Sequence, residues 1–169
     1  AADAIDNTAK QSWQRLIDRK IDGGIRALLS ARDQFEFDCM LHALLHRELS
    51  TAEWDVLYAR YSTHNGRRVQ AIARLVPRIS TPAPHLFLTK AVTTWCIPKM
   101  KGKEGKRSTE VLMLSAEWYD LNTWDTDAQP DSTRSRWRRE IWKVLDALEE
   151  QAVVRVTEIL EREKLLSVA

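Results

Sequence analysis

Residues 132–166 read STRSRWRREIWKVLDALEEQAVVRVTEILEREKLL and contain neither glycine nor proline. Apolar side chains recur there at roughly heptad spacing, at Ile141, Leu145, Leu148, Ala152, Val156, Ile159 and Leu160. This pattern predicts one long amphipathic helix. At about 50 Å the helix would be longer than a small domain, so it either lies along the whole molecule or projects and pairs with a partner. Homodimerisation through the helix and packing within the chain are both open.

Shorter helices are predicted upstream of this segment. We expect them over residues 8–30, 33–48, from Ser50 to near His64, 67–76 and 84–97. The clearest start is at Ser50, because Glu53 three residues later can complete a capping box. A further short helix is expected at 114–118, followed by an acidic loop over 120–131.

Length and composition favour an all-α protein made of a compact helical domain and the long C-terminal helix. The chain has 169 residues, of which 44% are apolar, and only five glycines and five prolines. We divide it into a helical domain over 1–107 and a tryptophan-rich segment with the long helix over 108–169. Two cysteines make no disulfide framework, and no apolar run approaches the roughly 20 residues that span a bilayer. We therefore expect a cytoplasmic protein with no membrane partner.

Charge is strongly segregated along the chain although the net charge is only +2. Residues 60–107 hold eleven basic side chains and one acidic side chain, a net charge of +10. Residues 108–131 hold six acidic side chains and no basic one. Basic stretches of this kind are typical of surfaces that bind the phosphates of nucleic acids.

The basic stretch coincides with short helices joined by tight turns, which favours a helix-turn-helix or sigma-like unit over about 50–98, followed by a basic arm over 99–107. Polar residues at the start of the helix over 84–97 (His85, Thr89, Lys90 and Thr93) are candidates to reach base edges. A second basic cluster surrounds Trp137, which we assign to the core rather than to base stacking. The candidate nucleic-acid-binding residues are Arg60, Arg67, Arg68, Arg74, Arg78, Lys90, Lys99, Lys101, Lys103, Lys106, Arg107, Arg134, Arg136, Arg138 and Arg139.

No pattern of catalytic or cofactor-binding residues is present in the sequence. Phosphate-binding glycine loops, dinucleotide fingerprints and the HExxH zinc motif are all missing. Cys39, His42 and His46 could share one helix face, but zinc takes four ligands and no second close pair exists. We expect no enzymatic activity, no cofactor and no bound metal.

The segments EWDVLYARYSTHNGRRVQAIARLVPRIS (53–80) and TKAVTTWCIP (89–98) resemble Q-type antitermination proteins of temperate phages and prophages. In this chain a W-x-x-L-x-x-R-Y helix leads into a basic helix and a third helix, and this order is similar to that of the sigma-like DNA-binding unit in some of those proteins. The likeness covers about 50 residues, and the cysteine-rich zinc element of one branch of that family is absent here.

The resemblance implies a transcription regulator that binds double-stranded DNA near a promoter and acts with RNA polymerase to suppress termination. The long helix and the tryptophan-rich segment would then contact the polymerase or a second copy. The alternative function is a helical protein-interaction or oligomerisation module that does not bind nucleic acid.

Overall fold

The computed structural model describes residues 31–99 and 113–165, and within these ranges the chain is helical and contains no strand. The all-α prediction is thereby confirmed. The helices are α1 (Ala31–Glu48), α2 (Thr51–Tyr61), α3 (Asn65–Leu75), α4 (His85–Cys96) and α5 (Asp131–Arg162). Single 3-10 turns cover Val76–Arg78, Ala116–Tyr119 and Leu121–Thr123. The helix predicted over 8–30 lies outside the described residues.

Helix α2 begins with the capping box that the sequence predicts. The Ser50 hydroxyl accepts a hydrogen bond from the Glu53 amide at 3.3 Å, and the Glu53 carboxylate accepts one from the Ser50 amide at 2.8 Å. Two amides that have no partner within the helix are satisfied in this way. The start of α2 is therefore fixed by local chemistry.

The long helix α5 lies along the rest of the molecule, with its heptad stripe buried against the chain itself. Hydrogen bonds run along much of its length. Trp142 Nε1 donates to the Ala91 carbonyl at 3.0 Å, and Trp95 Nε1 donates to Asp146 Oδ1 at 2.8 Å. Near its C-terminal end, Arg162 Nη2 lies 3.0 Å from Glu48 Oε2 of α1. Of the two arrangements that its length allows, the structure has the internal one.

One hydrophobic core joins all five helices and includes residues on both sides of the proposed division at 107/108. Phe87 of α4 lies at its centre, edge-on to Trp124 at 5.2 Å and to Trp137 at 5.5 Å between ring centroids. All three side chains are buried, and each adds about 1.5–3 kcal/mol or more of hydrophobic stabilisation. The assignment of Trp137 to the core is confirmed.

Three apolar side chains of α1 and α3 lie at the surface and not in the core. Met40 of α1 and Val69 of α3 are about half exposed, and Ala73 of α3 is exposed as well. In α3 the core is contacted by Ala71, Ile72 and Leu75 instead. Because α3 buries this one narrow stripe, its opposite face is left open.

Candidate nucleic-acid interface

A three-residue turn, 62–64, joins α2 to α3 and sets the position of the basic helix. The buried Ser62 accepts a hydrogen bond from the His64 amide at 3.1 Å. His64 then caps α3, since its Nδ1 accepts from the Arg67 amide at 3.3 Å. This cap explains why α3 begins at Asn65, two residues before the predicted start. Turns of this length are typical of helix-turn-helix units.

Arg68 points into the molecule rather than toward a ligand. Its guanidinium donates to the backbone carbonyls of Ala59 and Arg60 at the end of α2 and of Cys96 at the end of α4. Burial lowers the pKa of Arg68 from its ordinary value. The side chain supplies donors to carbonyls that have no partner within their own helices. Arg68 therefore ties α2, α3 and α4 together.

The second anchor of α3 is an ion pair with α2. Arg74 donates from Nε and Nη2 to Oδ1 of Asp55, and the Asp55 side chain is only 3% exposed. Arg78 Nη2 lies 3.8 Å from the other carboxylate oxygen and 3.1 Å from the Thr51 hydroxyl. Arg74 and Arg78 both stay partly exposed, so they hold the fold and still contribute positive potential at the surface.

Arg60 belongs to a polar network at the contact between α2 and α5. Its guanidinium lies 4.4 Å above the Trp95 ring, donates to the Trp95 carbonyl, and is 3.8 Å from Glu149. Glu149 also accepts from the Tyr61 hydroxyl. Burial and this hydrogen bond raise the pKa of Tyr61 to about 12. Arg60 is thus occupied by contacts within the chain.

The side chains of Lys90 and Arg134 also form their hydrogen bonds within the chain. Lys90 Nζ donates to the carbonyl and hydroxyl of Thr123 at 2.7 and 3.0 Å and lies 5.8 Å from the Trp118 ring. Arg134 is buried and donates to Asp131 one turn earlier. These two residues position the segment that precedes α5.

Four of the candidate residues are exposed and have no side-chain partner within the described part of the chain: Arg67, Lys99, Arg136 and Arg139. Arg138 lies 5.2 Å from the Trp142 ring. Lys101, Lys103, Lys106 and Arg107 lie outside the described residues. The hydrogen bond from Arg68 to the Cys96 carbonyl ties the end of α4 to the first half of α3, and Lys99 follows three residues after Cys96.

The exposed face of α3 is an open basic surface. It carries Gly66, Arg67, Gln70, Ala73 and Arg74, and α3 contains no acidic residue. Its arginines are among the binding residues predicted from the sequence, whereas Gly66 and Gln70 are not. Residues three and four apart share one face of a helix. Once Ala71, Ile72 and Leu75 are assigned to the buried stripe, Gly66 and Gln70 are therefore expected on the opposite, exposed face.

A second basic surface lies on the first half of α5. Arg136, Arg139 and Lys143 follow each other at spacings of three and four and are all exposed. Trp137 and Ile141, on the opposite side of the same turns, are buried. The basic cluster that surrounds Trp137 in the sequence is therefore presented outward around a buried tryptophan.

The polar residues of α4 are directed mostly toward their own helix. The Thr89 hydroxyl donates to the His85 carbonyl at 2.9 Å, and the Thr93 hydroxyl donates to the Thr89 carbonyl at 2.7 Å. Thr93 is buried and Lys90 contacts Thr123, so His85 is the most exposed of the four proposed base-reading side chains.

His42 and His46 of α1 form an aromatic cluster with α2. Their rings stack at 6.5 Å and meet the edge of Trp54 at 5.0 and 4.8 Å. Burial, and then the charges of His46 and Arg67, lower the pKa of His42. In the described ranges, no three His, Cys, Asp or Glu side chains come together in a group that could hold a metal ion.

Comparisons with known proteins find no match, whether against protein-family models, curated proteins or solved structures. None of the helices in residues 31–99 and 113–165 is long and apolar enough to cross a membrane.

Proposed function

We propose that this protein binds double-stranded DNA through the exposed face of α3. The observation that carries the proposal is the combination of a rigidly held helix with an open, acid-free basic face. Arg68 and Arg74 fix α3 by bonds to α2 and α4, whereas Arg67 points to solvent. A helix that is already held in place favours binding, because little conformational entropy is lost when the ligand binds.

Electrostatics support the same proposal. Arg67 at the start of α3 and Lys99 after α4 are both exposed, and a hydrogen bond from Arg68 ties the start of α3 to the Cys96 carbonyl at the end of α4. The sequence adds Lys101, Lys103, Lys106 and Arg107 directly after Lys99. Each phosphate that such residues neutralise releases counterions, so the affinity should fall steeply with salt.

The basic surface of α5, formed by Arg136, Arg139 and Lys143, is a second contact in this proposal. Its charges are carried by a helix that is anchored along its length, and one acidic side chain, Glu140, lies among them. Contacts of this kind fix the register of a protein on the duplex without reading its sequence.

A role in transcription is the finer part of the proposal, and it rests on the resemblance to Q-type antitermination proteins. In that reading the protein is a phage-type regulator that acts with RNA polymerase. A homodimer through α5 would have to use the outward face of the helix, because the heptad stripe is buried within the chain.

The outward face of α5 favours the alternative function, a protein-interaction module. Val144 and Val154 are 49% and 53% exposed on this helix. A module of this kind would form a stable assembly and would be indifferent to nucleic acid.

A titration with labelled random-sequence duplex DNA at roughly 50–300 mM salt distinguishes DNA binding from a protein-interaction module. We expect binding that weakens steeply with salt, and a smaller slope for R67Q and for the R136Q/R139Q pair. The R155Q variant, which removes one positive charge near the far end of α5, is the control and should bind like the wild type. A chain that does not bind the duplex even at low salt, or variants that bind like the control, would overturn the proposal.

A further inference from the structure

The centre of the exposed face of α3 is uncharged. Gly66, Gln70 and Ala73 are spaced by four and three residues, all are exposed, and they lie opposite the buried Ile72 and Leu75. Arg67 and Arg74 flank this strip along one edge. A partner that docks here would therefore meet a small, neutral surface at the centre and positive charge beside it.

Within residues 31–99 and 113–165, neither backbone conformation nor packing requires a glycine at position 66. Its φ is not positive. A Cβ at this position would lie 3.6 Å from Cε1 and 3.8 Å from Nδ1 of His64, which is ordinary van der Waals contact. Glycine weakens a helix compared with alanine, so its presence in the first turn is unfavourable for folding. The absence of a side chain at this exposed position lets another molecule approach the helix closely.

We propose that the face formed by Gly66, Gln70 and Ala73 enters the major groove of DNA, and that Gln70 reads an adenine there. This inference rests on the proposed function. A glutamine amide offers a donor and an acceptor side by side, which match N7 and the N6 amino group of adenine. Val69, exposed beside Gln70, can contact the methyl group of a neighbouring thymine.

The dimensions favour the major groove of B-form DNA. A helix with its side chains is about 10–12 Å across, close to the roughly 12 Å width of that groove. The minor groove is only about 6 Å wide, and the major groove of A-form RNA is deep and narrow. With the small residues Gly66 and Ala73 on either side of Gln70, α3 can lie deep in the groove while Arg67 reaches a phosphate.

The test begins with selection of preferred duplexes from a random pool by the wild-type protein. Each variant is then measured on the selected duplex and on a scrambled duplex. For Q70A we expect roughly a 5- to 100-fold loss on the selected duplex, little change on the scrambled one, and no discrimination at one A·T pair. Q129A removes another exposed glutamine amide far along the chain and should change neither affinity.

Two glycine variants test the close approach separately from base reading. G66A should keep or raise the melting temperature, because the added Cβ meets no close neighbour and alanine favours the helix. G66L should keep the fold and weaken binding to both duplexes at least tenfold. If Q70A keeps the full sequence preference, or G66L binds normally, the inference is wrong while DNA binding stands. If the wild-type protein binds no duplex at low salt, the proposed function itself fails.

Discussion

Arg74 donates two hydrogen bonds to one oxygen of Asp55, from Nε at 2.8 Å and from Nη2 at 2.6 Å. The carboxylate is almost completely buried, whereas the guanidinium is half exposed. The pair therefore links the interior of α2 to the surface of α3. Helix α3, which carries three arginines and no acidic residue, takes its orientation from this contact and from Arg68.

Removal of the Arg74 side chain should destabilise the protein, because it leaves the Asp55 carboxylate buried without its main partner. We expect R74A to lower the free energy of unfolding by about 2 kcal/mol. In a double-mutant cycle, D55A and R74A should together cost clearly less than their sum. R78A, whose guanidinium is 3.8 Å from the same carboxylate, is the milder comparison. Equal effects of R74A and R78A in urea denaturation would contradict this account.

The neighbours Arg67 and Arg68 should separate binding from folding. R68Q should lower the free energy of unfolding by about 1–3 kcal/mol, because Arg68 donates to three backbone carbonyls. R67Q should change it by no more than about 0.5 kcal/mol, since its side chain is exposed. For DNA affinity measured at a temperature where both variants are folded, we expect a clear loss with R67Q. A large loss of stability in R67Q would show that Arg67 also holds the fold.

The capping box at the start of α2 should make a measurable local contribution. We expect S50A to lower the free energy of unfolding by about 1 kcal/mol, because the Glu53 amide loses the hydroxyl that accepts its hydrogen bond. S50D keeps an acceptor at the same place and should recover most of the loss. Thermal melts of the three proteins are sufficient, and an S50A protein that melts with the wild type would show that the box is not needed.

The His42 cluster should make stability depend on pH. The pKa of His42 is lowered in the folded protein by burial and by His46 and Arg67, so the unfolded chain takes up the proton first as pH falls. The contribution of neutral His42 is present above the unfolded pKa of about 6.5 and is lost as pH falls through the lower folded value. Unfolding free energies measured between about pH 7.5 and 5 should fall less in H42Q than in the wild type.

The exposed His85 supplies the control for this pH dependence, since H85Q should retain the full loss of stability toward acid. The groups that face His42 are His46 on its own helix, Trp54 and Tyr58 of α2, and Arg67 of α3. A pH profile unchanged by H42Q would assign the dependence to other groups.

Local sequence signals predicted much of the fold. The capping box at Ser50 and the heptad stripe of α5 each depend on residues close in sequence, and each is present where expected. The starting point of α3 was predicted two residues late, because the His64 side chain acts as its cap. The long-range question of what covers the stripe of α5 was not decidable from periodicity alone.

The candidate site was harder to predict because charge patterns do not reveal partners. Arg60, Arg68 and Arg74 count as basic residues in the sequence, yet their bonds run to Trp95, Cys96 and Asp55, which lie 19 to 35 residues away. Only the folded structure shows that these guanidinium groups stabilise contacts between helices. Conversely, the neutral Gly66 and Gln70 carry no signal in a charge count, although they occupy the centre of the open face.

Photo-crosslinking from two matched positions tests the central claim most directly. Val69 on α3 and Val154 on α5 are both 53% exposed. Replacing either one by a photoreactive amino acid should therefore change the stability of the protein to a similar extent. With labelled duplex DNA, the account predicts a crosslink from position 69 that unlabelled duplex competes away, and none from position 154. A crosslink of equal strength from both positions, or from neither, would contradict the claim that α3 is the DNA-binding surface.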